Sequence, residues 1–272
     1  MVSYKYYFNI IKCILNVVDP INKPVGRHNK YSYDVYLKYI LQVLIDGISW
    51  THLTTIHNIN TDVFRKKYNK WVNLNVFTNA YNIILKQYKN KQIKKKRLSN
   101  NLFIDSTNIA NFSGKLDFGY NIKIKNKKSI KITVLVDENK IPYYLDVSKG
   151  SIHDAKITEK IVDTYFKNNK KQVNIIGDKG YIKNQSYCEF INKNYNINLI
   201  TPQRKNTTNN KIDSNNSKLL KIRYVVEHFF SLLKRGYKRI SIINDKTLNS
   251  YLNFLKIASS LIILNQTSKM IK

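Results

Sequence analysis

Acidic residues are scarce in this 272-residue chain, with 17 Asp and Glu against 47 Lys and Arg and a formal net charge of +30 at pH 7. Cysteine is scarcer still. Cys13 and Cys188 stand far apart with no CxxC partner, which excludes a disulfide framework and a cysteine-based zinc site and fits a reducing, intracellular compartment. Long apolar runs are missing as well. Residues 6–18 are interrupted by Asn9 and Lys12 and lack a small-residue cleavage site, while residues 251–264 carry Asn253 and Lys256 and fall short of the ~20 residues of a membrane span. No secretion and no membrane partner are therefore expected. Phosphate-loop and dinucleotide signatures are absent, and so is a GxSxG elbow, which leaves Asp105-Ser106 with His153 or His228 a weak case for a serine nucleophile.

What is present is positive charge far beyond the needs of solubility, and it predicts a polyanionic partner. The cations are dispersed among Tyr and Asn rather than gathered on one amphipathic helix, which favours nucleic acid over an anionic membrane. A hydrophobic content of 43% suffices for one substantial core and a smaller unit. Residues 1–30 read as a tail closing on the turn-rich stretch 19–26. Helical spacing follows over 32–47 and 50–57, then from Thr61 and Asp62, a plausible N-terminal cap. There Phe64, Tyr68, Trp71 and Val72 form an apolar stripe beside Arg65, Lys66, Lys67 and Lys70. We expect residues 31–97 to be a helical, helix-turn-helix-like DNA-binding domain with those four cations on phosphates, ending in a basic linker from residue 91. A plain solvated basic face is the alternative.

From residue 98 to 272 the pattern becomes mixed α/β: a buried strand at 102–107, a hairpin of 129–137 and 141–147, a helix at 154–168, and a strand at 173–177. A helix at 184–194, a strand at 197–200, a polar loop at 205–217 and helices at 218–234 and 247–266 complete it. This order is that of a ribonuclease H-like core.

Three of the few carboxylates sit beside strongly apolar runs, in Phe103-Ile104-Asp105, Ile175-Ile176-Gly177-Asp178 and Val225-Val226-Glu227. A basic chain that places acids next to buried segments has them hold something cationic, and a divalent metal is the leading candidate. In a ribonuclease H-like sheet Asp105 and Asp178 would stand on neighbouring strands and Glu227 on a helix, with Val226, Phe229, Phe230 and Leu233 arguing that its face is largely buried. The plain alternatives are a strand-end Asp, a turn-forming Asp before Gly180, and a helical ion pair of Glu227 with Arg223.

These residues resemble the DDE insertion-sequence transposases. Asp105-Ser106-Thr107 looks like the family's first-acid motif, Asp178-Lys179-Gly180-Tyr181 like its second, and Arg223, Glu227 and Lys234 reproduce the R-x3-E-x6-K part of its signature. Leu220 occupies the place of the signature tyrosine. Gly150-Ser151-Ile152-His153-Asp154 and Thr201-Pro202-Gln203-Arg204-Lys205-Asn206 resemble further family segments, so the likeness spans about residues 31–265.

The resemblance implies catalytic and metal-binding roles for Asp105, Asp178 and Glu227, two Mg²⁺ or Mn²⁺ ions, and phosphate contacts by Arg223 and Lys234. His153 and Asp154 would be auxiliary, or a simple helix cap. The implied activity is cleavage at element ends and transfer of the 3′-hydroxyl strand to target DNA, by a homo-oligomer acting wherever the DNA resides, cytoplasm or nucleus. A ribonuclease H-like nuclease without strand transfer and a domesticated DNA-binding protein are the rival readings.

Overall fold

Apolar residues recurring every three to four positions make the N-terminal region helical. The computed structural model describes residues 2–20, 30–60, 62–111, 119–121, 124, 127–167, 171–202 and 214–269. Five helices open the chain: α1 (Val2–Val18), α2 (Tyr33–Asp46), α3 (Trp50–His57), α4 (Asp62–Asn73) and α5 (Val76–Lys94). Ser49 caps α3 by accepting from the His52 amide, and Asn60 accepts from the Asp62 amide; Thr61, the expected cap, lies outside the described residues. Gly47 ends α2 with φ of 70°, and a Cβ there would come within 2.8 Å of Lys238 Cβ. The left-handed turn and the close approach both require glycine.

The chain forms two compact units, and they do not follow the expected boundary at 97/98. Residues from 232 onward, with α10 (Lys238–Ser241) and α11 (Leu248–Lys269), belong with α1 to α5. The reason is apolar surface: α11 buries Tyr251, Phe254, Leu255, Ala258, Leu261 and Ile263 and so needs cover on nearly all sides, which α5 and α1 provide. Tyr68 stacks on Phe254 at 4.4 Å between ring centroids and donates its hydroxyl proton to the Ser250 carbonyl at 2.6 Å. The basic stretch expected to be a linker from residue 91 is helical up to Lys94, the end of α5.

The second unit is built on one six-stranded sheet. Strand β1 (Asn101–Ala110) lies between β3 (Lys127–Asp137), antiparallel to it, and β5 (Val173–Ile176), parallel to it; β6 (Ile197–Ile200) follows β5, also parallel. The other edge of β3 takes β4 (Pro142–Lys149) and the short β2 (Gly119–Asn121). Asp137 closes the β3–β4 hairpin by accepting from the amides of Asn139 and Ile141, both at 2.9 Å. Helix α6 (Asp154–Ile161) runs into a π turn, Val162–Phe166, and α7 (Gln185–Tyr195) leads into β6. The single helix expected over 218–234 is broken at Arg223 into α8 (Ser214–Ile222) and α9 (Tyr224–Gly236).

Candidate active site

The register of the central strands decides where the first two acids meet. Phe103 pairs with Ile176 at the end of the parallel β1–β5 ladder; two residues further along, Asp105 is still within β1, whereas Asp178 stands in the turn just past β5. Asp178 follows the carboxyl end of β5, the end at which open α/β sheets place their ligands. Its Oδ1 accepts from the Gly180 amide at 2.7 Å and caps the 3₁₀ turn Lys179–Tyr181. Tyr181, fully buried, anchors that turn to β1 through its hydroxyl, 2.6 Å from Ser106 Oγ, which in turn lies 2.8 Å from Thr133 Oγ1 on β3. One hydroxyl chain thus ties the loop carrying the second acid to the strand carrying the first. Ser106 is thus hydrogen-bonded to hydroxyls and not to His153, which caps α6.

Asp105 is held from two sides. Its Oδ1 accepts from the Ser106 amide at 2.8 Å, and its Oδ2 is 3.4 Å from Arg223 Nη1. Burial pushes its carboxyl up from 3.8 to about 6, the Ser106 amide and Arg223 oppose the rise, and the charges of Asp178 and Asp154 add to it. Arg223 Nη2 lies 3.5 Å from Glu227 Oε1, so one guanidinium faces two of the three expected acids. Glu227 itself departs from expectation. Its side chain is 59% exposed, whereas Val225, Val226, Phe229, Phe230 and Leu233 are the buried members of α9. Those neighbours turn the other face inward and leave Glu227 at the solvent edge in the first turn of the helix.

An open cleft of about 440 Å³ lies over this end of the sheet, lined by Asp105, Asp178, His153, Asp154, Lys131 and Gly180 among others. His153 caps α6, its Nδ1 accepting from the Ala155 amide at 3.2 Å. Asp154 does more than cap: its Oδ1 accepts from Lys131 Nζ at 2.8 Å, and a Cβ on Gly180 would lie 2.9 Å from its Oδ2 and 3.0 Å from Asp178 Oδ1. Only glycine lets the two carboxylates flank this turn so closely. Lys131 was not singled out from the sequence, yet a lysine between Ile130 and Ile132 in a buried strand is itself the signal. Lys234, later on α9, is half-buried, and burial lowers its ammonium pKa.

The four basic residues of α4 are separated by the structure. Lys67 and Lys70 reach the fully buried carboxylate of Asp19 at 3.0 and 2.6 Å, beside Trp71 Nε1 at 3.0 Å, so they hold the end of α1 onto α4. Arg65 and Lys66 point instead to a polar groove. Residues 203–206 lie outside the described residues.

Among the described residues no three His, Cys, Asp or Glu side chains converge closely enough to form one ion site. The donor chemistry fits a hard cation nonetheless. Asp105 and Glu227 already present oxygens to one shared cationic group, and the carboxylates around the cleft suit oxygen-seeking divalent ions.

Residues 96–261, more than half of the chain, match the model of the transposase DDE domain, and the chain belongs to that family. Among solved structures it resembles the piggyBac transposase synaptic complex with hairpin DNA, at 11% identity and a TM-score of 0.50, over 100% of this chain and 76% of that one. A weaker likeness, TM-score 0.23 at 13% identity over 85% and 84% of the two chains, is to the Mos1 mariner paired end complex with Mn. No curated protein matches the chain in sequence. The mixed sheet with its helical N-terminal region is the transposase ribonuclease H-like fold. No described helix is long and apolar enough to cross a membrane.

Proposed function

We propose that the chain is a DNA transposase that binds the terminal repeats of its element, cuts there, and transfers the freed 3′-hydroxyl strand to target DNA as a homo-oligomer. The observation that carries this reading is that Asp105 on β1 and Asp178 just past the end of the adjacent parallel strand β5 line one cleft, with Arg223 linking Asp105 to Glu227. Asp105, Asp178 and Glu227 would hold two Mg²⁺ or Mn²⁺ ions, which activate an attacking oxygen and stabilise the leaving one in displacement at phosphorus.

The chain's own groups contribute orientation and charge. Arg223 is planar, permanently charged and placed beside both carboxylates, which suits it to a non-bridging phosphate oxygen at the scissile position. The Ser106–Thr133–Tyr181 hydroxyl chain keeps the Asp178 turn against β1, and Lys131 fixes Asp154 at the cleft wall. His153 supports the same wall as a helix cap.

In a strand-transfer assay with Mn²⁺ or Mg²⁺ and candidate element ends, Asp105→Asn, Asp178→Asn and Glu227→Gln should each abolish cleavage and joining while duplex binding is retained. Undiminished cleavage by any one of them removes that residue from the site. Cleavage without joined products on any end would favour the ribonuclease H-like nuclease.

A further inference from the structure

The helical unit contains a groove of about 730 Å³ that the three acids do not explain. One wall is α4, where Arg65, Lys66 and Asn69 project from the face opposite buried Phe64, Tyr68 and Trp71. The other wall is the turn into α11, which contributes Lys246 and Asn249. Arg65 is paired with Asp62 at 2.9 Å, whereas among the described residues neither Lys66 nor Lys246 has an ion-pair partner, and both are exposed.

The floor is fixed and electrically neutral. Arg239, 1% exposed, donates to Asp245 Oδ2 at 3.1 Å and to the Ile48 carbonyl at 3.3 Å, and Asp245 Oδ1 accepts from Ser250 Oγ at 2.8 Å. This network joins the approach to α3, α10 and the first turn of α11, so the two walls are held in place. Asp245 is the groove's one lining acid among the described residues, and Arg239 cancels it. The rest of the polar lining is cations, amides and the hydroxyls of Ser49, Thr51 and Thr247. Trp50, half-buried in the groove lining, packs against Tyr68 and Phe254 at 5.8 and 6.4 Å between centroids, so its ring is already engaged by aromatic neighbours.

We infer that this groove seats the phosphodiester backbone of duplex DNA, and that the segment after α10, through Lys246 and Asn249, is part of the DNA-binding surface together with Arg65 and Lys66 of α4. The inference rests on the transposase reading and adds to it a second chain segment, remote in sequence from the N-terminal helices. Backbone contacts of this type set register and salt dependence rather than base sequence.

The test is fluorescence anisotropy of the full chain with a labelled DNA duplex in EDTA across a salt series. Lys66→Glu and Lys246→Glu should each weaken binding and each lower the log–log salt slope by about 0.9, the loss of one phosphate contact. Lys246→Gln should lower the slope similarly, and Lys5→Glu, on the exposed side of α1, should do neither. If Lys246→Glu and Lys246→Gln behave like Lys5→Glu while Lys66→Glu weakens binding, the groove is overturned and the transposase reading stands. A wild-type chain without affinity for duplex DNA overturns both. Equal or tighter binding of single-stranded DNA or of duplex RNA, with the same losses, overturns the assignment to a DNA duplex.

Discussion

Asp105→Asn should stabilise the chain at neutral pH in EDTA even though it disables the proposed site. The carboxyl lies beneath the cleft with a side chain 22% exposed, and its pKa rises from 3.8 to about 6, chiefly through burial. The folded value exceeds the unfolded one, so the fold favours the protonated acid. The stability this contributes is complete below the unfolded value and lost as pH rises through the folded one. At 1.36 kcal/mol per unit, the rise corresponds to about 3 kcal/mol, or nearer 2 after partial solvent screening. Asparagine does not titrate. Equilibrium urea unfolding of both proteins, from about pH 3.5 to pH 8, should therefore show the variant's advantage growing by about 2–3 kcal/mol, with most of the change between the two pKa values. A difference that stays flat with pH, or one that moves in favour of the wild type as pH rises, would refute the assignment of burial as the dominant force on Asp105.

Two further outcomes follow from other parts of the molecule. Asp19→Ala strips the partner from Lys67, Lys70 and Trp71 at a site where the carboxylate is wholly buried, and urea unfolding should show a loss of about 3–5 kcal/mol. Gly180→Ala places a methyl group against carboxylate oxygens of Asp154 and Asp178, so cleavage should fall at least as far as in Lys131→Ala while duplex affinity, read by anisotropy, is unchanged.

The sheet unit was legible because its strands are short apolar runs ending in polar turns, and the two Asp residues stand where β1 and β5 reach the cleft. The side-by-side placement of those strands follows from the order of elements; that they pair in parallel is visible only in the structure. Apolar neighbours on both sides of Glu227 along the sequence point to burial, but α9 starts at Tyr224, and positions 225, 226, 229, 230 and 233 define a face that excludes 227. The destination of α11 was equally hidden. Its apolar residues surround the helix and announce burial without naming the surface that supplies it, and the cover turns out to be α5 and α1. The division of Lys67 and Lys70 from Arg65 and Lys66 depended on Asp19, a residue some fifty positions away in a stretch that read as a tail.

The inward placement of acids has a consequence for how copies of this protein meet. Asp19, Asp137, Asp146 and Asp245 are all at most 8% exposed, so four of the seventeen acids, already few in number, are withdrawn from the surface. The exterior is thus more nearly single-signed than the composition alone implies, and two copies approaching in dilute salt repel each other across a Debye length. A shared polyanion removes that repulsion. Under the proposed function, assembly would be coupled to the substrate: the molecule would resist self-association when free and lose that resistance where DNA neutralises it.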